Sequence, residues 1–145
     1  MKSFYYYLSA LVLATFLVVS CKPQTSAQKT NADITGKTWK LTELNGQPIK
    51  LKNPKNNPYF KLEMDGMRYE GHAGCNGLGG TFEIKPEIMR IKFNQGMSTM
   101  MACEDLDIEN QFTKAILAAD NYSVNGNTLT LNKARMAPLA KFVLQ

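Results

Sequence analysis

The residues whose types and spacing could do chemistry fall in two short stretches. The first is Gly71–Thr81, Gly-His-Ala-Gly-Cys-Asn-Gly-Leu-Gly-Gly-Thr, holding five of the ten glycines and the only histidine of the 145-residue chain. The second is Asn94–Cys103, which carries Met97, Met100 and Met101 and runs into Glu104 and Asp105. Gly74–Thr81 nearly spells the phosphate-cradling pattern Gly-x4-Gly-Lys-Thr. Gly80 stands where the lysine must be, and a strand pattern rather than a helix follows, so the charge and the helix N-terminus that hold phosphates are both missing. His72-x-x-Cys75 with Cys103 and Glu104 or Asp105 is a conceivable metal set, but structural zinc uses two paired ligand motifs and only one weak pair exists here. The three methionines with His72 could suit copper(I). Their spacing of three and one matches no thioether repeat, and core filling is the expected role. Nucleophilic catalysis would have to use His72, and no Gly-x-Ser-x-Gly elbow is present. Glu70 with Glu83 is a carboxylate pair on paper, but both fall in strands where solvated faces are the default. The reading is therefore non-enzymatic, with no catalytic residue, no metal and no cofactor.

The N-terminus locates the protein. Lys2 precedes an apolar run, Leu8–Val19, broken by Ser9 and Thr15. That is shorter than the ~20 apolar residues a spanning helix needs, and it reads as a signal peptide over 1–20. It ends Leu17-Val18-Val19-Ser20-Cys21, which resembles the bacterial lipobox. The resemblance implies cleavage before Cys21 and lipidation of that residue, palmitate among the acyl groups, giving a stable membrane anchor. Residues 21–33 then form a flexible tether with no large apolar residue. Lys22 in place of aspartate, by resemblance to enterobacterial sorting, gives no inner-membrane retention signal. The expectation is the outer membrane, facing the periplasm. In that oxidising compartment Cys75 and Cys103, 28 positions apart, are expected to pair once Cys21 carries lipid. Two buried free thiols, or thiolates on a metal, are the alternatives.

Charge narrows the partners. Seventeen basic residues face twelve acidic ones, and loss of Lys2 with the leader leaves about +4. The lysines are scattered rather than clustered with aromatics, which argues against nucleic acid.

The elements that must position the two stretches are mostly strands. Lys37–Leu44 alternates, placing Trp39, Leu41 and Glu43 on one face and Lys40, Thr42 and Leu44 on the other. Asn45-Gly46, Asp65-Gly66 and Asn125-Gly126 are hairpin turns. They join Lys37–Leu44 to Pro48–Leu51, Tyr59–Glu63 to Met67–Gly71, and Tyr122–Val124 to Asn127–Leu131. Thr81–Ile84, Ile88–Phe93 and Pro138–Leu144 complete the set. Gly71–Thr81 reads as an irregular crossing between strands, and Asn94–Cys103 as a loop. One segment has helical period: Ile108, Phe112, Ala115, Ile116 and Ala119 predict a helix over about 104–119, with Asp105, Asp107 and Glu109 offsetting its dipole. So many short strands predict a mostly β fold, a small antiparallel barrel of about eight strands, with one α-helix in the C-terminal half.

Trp39-Lys40-Leu41, Gly74-Cys75-Asn76 with Gly80, Thr99-Met100-Met101-Ala102-Cys103, the following helix and Leu129-Thr130-Leu131 together resemble the META domain, also called HslJ-like, of bacterial envelope lipoproteins. The resemblance covers 34–145. It implies a lipocalin-like barrel and a heat-shock or envelope-stress association, and it supplies no catalytic residue. Structural positions carried over from it are Gly74, Cys75, Asn76, Gly80, Thr99 and Cys103. The leading expectation is a monomeric, lipid-anchored, stress-related binding module whose partner is an envelope protein. A small apolar-ligand carrier using the barrel interior is the alternative, and a metal-binding protein is a third. A carrier requires an open apolar interior, and a metal role requires convergence of His72 with Cys75. A binding module requires an exposed apolar patch.

Overall fold

The computed structural model describes residues 33–134 and 137–145. The expected signal peptide, the expected anchor at Cys21 and the expected tether up to residue 32 lie outside the described residues. The strands are β1 (Thr38–Leu44), β2 (Gln47–Pro48), β3 (Tyr59–Glu63), β4 (Arg68–His72), β5 (Gly77–Lys85), β6 (Arg90–Ser98), β7 (Asn121–Asn125), β8 (Thr128–Asn132) and β9 (Ala140–Leu144). The one α-helix among the described residues, α1 (Leu106–Ala118), lies between β6 and β7. All pairings are antiparallel, in the order β2-β1-β3-β4-β5-β6-β7-β8-β9. β1 also pairs with β9, so the sheet closes into a ring.

Two features of this ring matter for the site. First, β6 meets β7 at a single pair, Arg90 with Asn121. Beyond that pair the strands diverge, and α1 packs against β6 there. Phe112, Ala115 and Ile116 of α1 enter the core. The apolar period of the helix is thus satisfied by sealing the opening in the ring. Second, the interior is filled by side chains. Trp39, Phe60, Phe82 and Phe112 are each at most 2% exposed and belong to one core cluster. The Phe60 ring meets Phe142 edge-on at 4.8 Å, and Tyr69 meets Phe93 at 5.2 Å, the favourable T-shaped geometry. The Trp39 indole N–H, buried, donates to the Ile34 carbonyl at 2.8 Å.

Several local readings change. The return strand read at Pro48–Leu51 is only the two-residue β2, Gln47–Pro48. Leu44 belongs to the core beside Trp39 and Leu41, because a bulge between Leu41 and Glu43 inserts one residue against β9 and resets the alternation. Glu43 instead pairs with Lys141 at 2.8 Å. The glycine-rich stretch is mostly strand: β4 runs through His72, β5 starts at Gly77, and only Ala73–Asn76 is the crossing. Asn94–Ser98 likewise continues β6. Glycine is needed here for close strand approach. A methyl group on Gly80 would overlap the Asn94 carbonyl and the Tyr69 ring.

Candidate functional site

The two stretches meet at one end of β5 and β6, where Leu78 stands opposite Ser98. Cys75 and Cys103 form a disulfide there, with Cα atoms 5.7 Å apart. Gly74 turns the corner at φ +123°, a conformation open to glycine and strained for other residues. The turn points the next two amides at α1. The Cys75 and Asn76 N–H groups both donate to Glu109 Oε2, at 3.0 and 2.7 Å. Asn76 Nδ2 donates to Glu109 Oε1 at 2.8 Å and to the Met101 carbonyl at 2.9 Å. Asn76 Oδ1 accepts from the Thr99 hydroxyl at 2.8 Å and from the Met101 N–H at 2.7 Å.

Asn76 is buried, and all four of its side-chain hydrogen-bonding positions are taken. Such a group fixes structure and has no capacity left for a ligand. Buried Asp105 acts similarly one turn earlier. Its carboxylate accepts the Lys52 and Asn53 N–H groups at 2.8 and 3.1 Å, which pins the loop after β2 to the start of α1. Neither acid serves only the helix dipole, as the sequence suggested; both hold backbone amides from other segments. Asp105 and Glu109 stand in register with Phe112 and Ile116, so two carboxylates on an otherwise apolar stripe were the available signal. Position alone could not show which amides they meet.

The chemistry proposed for these residues is tested by the same geometry. The disulfide takes both thiols, so neither cysteine supplies a thiolate. The His72 Nδ1 accepts the Gly74 N–H at 3.2 Å, and its ring lies parallel to Tyr59. Among the described residues, no three His, Cys, Asp or Glu side chains converge on a point. Glu70 and Glu83 are exposed, and Glu83 faces Lys92 at 3.9 Å. Thr99, Asn76 and the two cysteines gather at this corner, Gly74 shapes it, and Gly80 lies further along β5.

The methionines depart from expectation. Met100 is 99% exposed, Met97 87% and Met101 61%, so none of the three fills the core. Met97 lies in the exposed second half of β6, and Met100 and Met101 follow it. The backbone at Met101 is clamped by Asn76, which leaves the side chains directed outward. Between Met100–Ala102 and the outer face of α1 runs a groove of about 800 Å³. Its helix wall is Leu106, Asn110, Thr113 and Leu117, a second stripe beside the buried one. Met97 borders a neighbouring hollow of about 620 Å³ floored by Gly77, Gly79 and Gly80. Ser98 and Thr99 line both hollows, so the methionine-bearing segment is a rim between them.

Solved structures with the same fold include one from Burkholderia xenovorans determined by NMR. It is 18% identical with a TM-score of 0.60, and the match covers 77% of this chain and 83% of that one. A crystal structure of a DUF4847 family protein from Bacteroides vulgatus is 17% identical at TM-score 0.58, over 76% and 93% of the two chains. Another protein solved by NMR is 20% identical at TM-score 0.59, over 79% and 94%. No curated protein matches significantly. The family described as META domain matches residues 32–145. With that match, and with the Gly-Cys-Asn corner bound to the Thr-Met-Met-Ala-Cys segment, the chain belongs to the META domain family.

Proposed function

We propose that this protein is a lipid-anchored envelope module without enzymatic activity. It binds apolar segments of envelope proteins at the Met97–Met101 rim, in greater demand under heat or envelope stress. The observation that carries this reading is the exposure of three neighbouring methionines on a backbone locked by Asn76 and Cys103. Unbranched thioether side chains adapt to many apolar shapes, which suits a surface that meets varied partners. The filled interior supports a surface role over a ligand held inside the ring, which the carrier alternative requires. Asp33 lies near Ile84 and Pro86 at one end of β5, while the rim stands at the Gly77 end. The chain therefore enters the described domain at the end of β5 away from the rim.

A photo-crosslinking residue placed at Met100 in living cells tests the reading. It should yield protein adducts that increase on heat stress, and the same residue at Ile88, 60% exposed on the far end of β5–β6, should not. Equal adducts at both positions defeat it. The anchor is tested separately. Mass spectrometry of the membrane fraction should find diacylglyceryl on Cys21, and Cys21→Ser should release the protein from the membrane.

A further inference from the structure

The methionines of the described domain occupy unlike settings. Met67 and Met89 pack against the core, and Met64 is 55% exposed. Met97 and Met100, at 87% and 99%, expose their thioethers almost fully, and Met101 follows at 61%. Two-electron oxidants attack a thioether where it is accessible, and the sulfoxide product is polar where the thioether was apolar. We propose that Met97, Met100 and Met101 are sites of reversible sulfoxidation that switch the rim from apolar to polar and close it to partners. This inference rests on the docking reading above.

The step is balanced with a peroxide as oxidant. The sulfur lone pair attacks one peroxide oxygen, the O–O bond breaks, and water leaves. Sulfur is oxidised by two electrons and the peroxide reduced by two. A dithiol-dependent reductase reverses it, forming a disulfide on the reductase and releasing water.

The structure makes this modification silent for the fold. Each added oxygen enters solvent rather than the core. The backbone beneath does not depend on the methionine side chains. The N–H and C=O of Met101 are held by Asn76, and the Thr99 hydroxyl is bound to Asn76 as well. The Thr99 N–H reaches the Gly77 carbonyl at 3.3 Å, and Cys103 is tied to Cys75. Sulfoxidation in a core would instead unfold it. Stability and binding should therefore separate.

The full-length protein in phosphatidylcholine vesicles is treated with limiting hydrogen peroxide. It is then assayed for oxygen addition by peptide mass spectrometry, for its thermal midpoint, and for binding of a labelled Leu/Phe-rich unfolded peptide, with empty vesicles as background. Oxygen should appear on Met100 and Met97 first and Met101 next, ahead of Met67 and Met89. The midpoint should hold, and peptide affinity should fall about tenfold or more. Methionine sulfoxide reductase should restore the affinity, and the triple variant M97Q/M100Q/M101Q should show low affinity without peroxide. Oxidation that spreads evenly over all methionines, or a midpoint that falls in step with it, overturns the proposal. So does full oxidation of the three with affinity unchanged. A protein that binds no peptide before peroxide is added defeats the docking reading and the switch with it. That failure is told apart because it precedes the oxidant.

Discussion

The corner at Asn76 and the rim at Met97–Met101 touch through shared hydrogen bonds, yet they are opposite in kind. At the corner every strong polar group has a partner. Glu109 takes three donors, Asn76 fills four positions, and the disulfide closes the arrangement. At the rim, large apolar side chains have none. The corner includes the two cysteines that the sequence offered as metal ligands, and the disulfide takes both thiols. The rim includes residues that sequence would place in the core, and their exposure gives the molecule a surface to explain. The pairing is mechanical: a fully satisfied buried network holds the backbone from which the adaptable side chains project.

The largest effect should come from Glu109→Ala. It strands the Cys75 and Asn76 amides and one Asn76 side-chain donor in a buried site, and should lower unfolding stability by about 4 kcal/mol in urea titrations. A loss below about 1 kcal/mol would break the comparison, because the corner would then not depend on this carboxylate. Next, the double variant C75A/C103A removes the covalent tie and should lower stability by about 3.5 kcal/mol on the chain-entropy account. Should the rim keep its peptide affinity in that variant, the hydrogen bonds of Asn76 alone suffice to hold it. At the rim, Met100→Ser should shift stability by no more than about 0.5 kcal/mol while weakening peptide binding. A large loss of stability there would mean that Met100 packs, contrary to the structure.

The smallest effect lies away from both regions, at Asp120 between α1 and β7. The Ala134 N–H at 2.8 Å and the Asn121 amide at 2.6 Å hold its carboxyl below the ordinary value of 3.8, with Arg90 adding to the effect. A folded value below the unfolded one means the contribution is present above about pH 4 and is lost as pH falls through the lower folded value. Asp120→Asn should flatten that part of the acid-unfolding curve and leave peptide binding at neutral pH unchanged. A change in binding would show that the two ends of the molecule are coupled.

Much of the fold was legible in the residues. Asn45-Gly46 sits with both residues at positive φ, as the hairpin turn demands. The strands read at Tyr59–Glu63 and Asn127–Leu131 are formed as β3 and, within one residue, β8. The period of Phe112, Ala115 and Ile116 placed α1 within two residues at either end. Leu44 was misplaced because a bulge is a property of two strands in register, and one strand's pattern does not reveal it. The glycines of β5 suggested a loop because glycine is disfavoured in strands. What overrides that preference is the close approach of neighbouring strands, as between Gly80 and Asn94, which is a tertiary fact.

Sequence by itself determined that this chain makes many short antiparallel strands with one amphipathic helix, that two domain cysteines are available to pair, and that the family is META. Those follow from local periodicity, turn chemistry and motif order, which act over a few residues. Only the tertiary structure decided what the chemical residues are for. Burial, hydrogen-bond completion and exposure depend on which distant segments meet. Glu109 faces Cys75 and Asn76 across the chain, while Met97, Met100 and Met101 project mostly into solvent. The stretch that resembled an active loop is two strands joined by a hydrogen-bonded corner, and the methionines expected in the core are exposed.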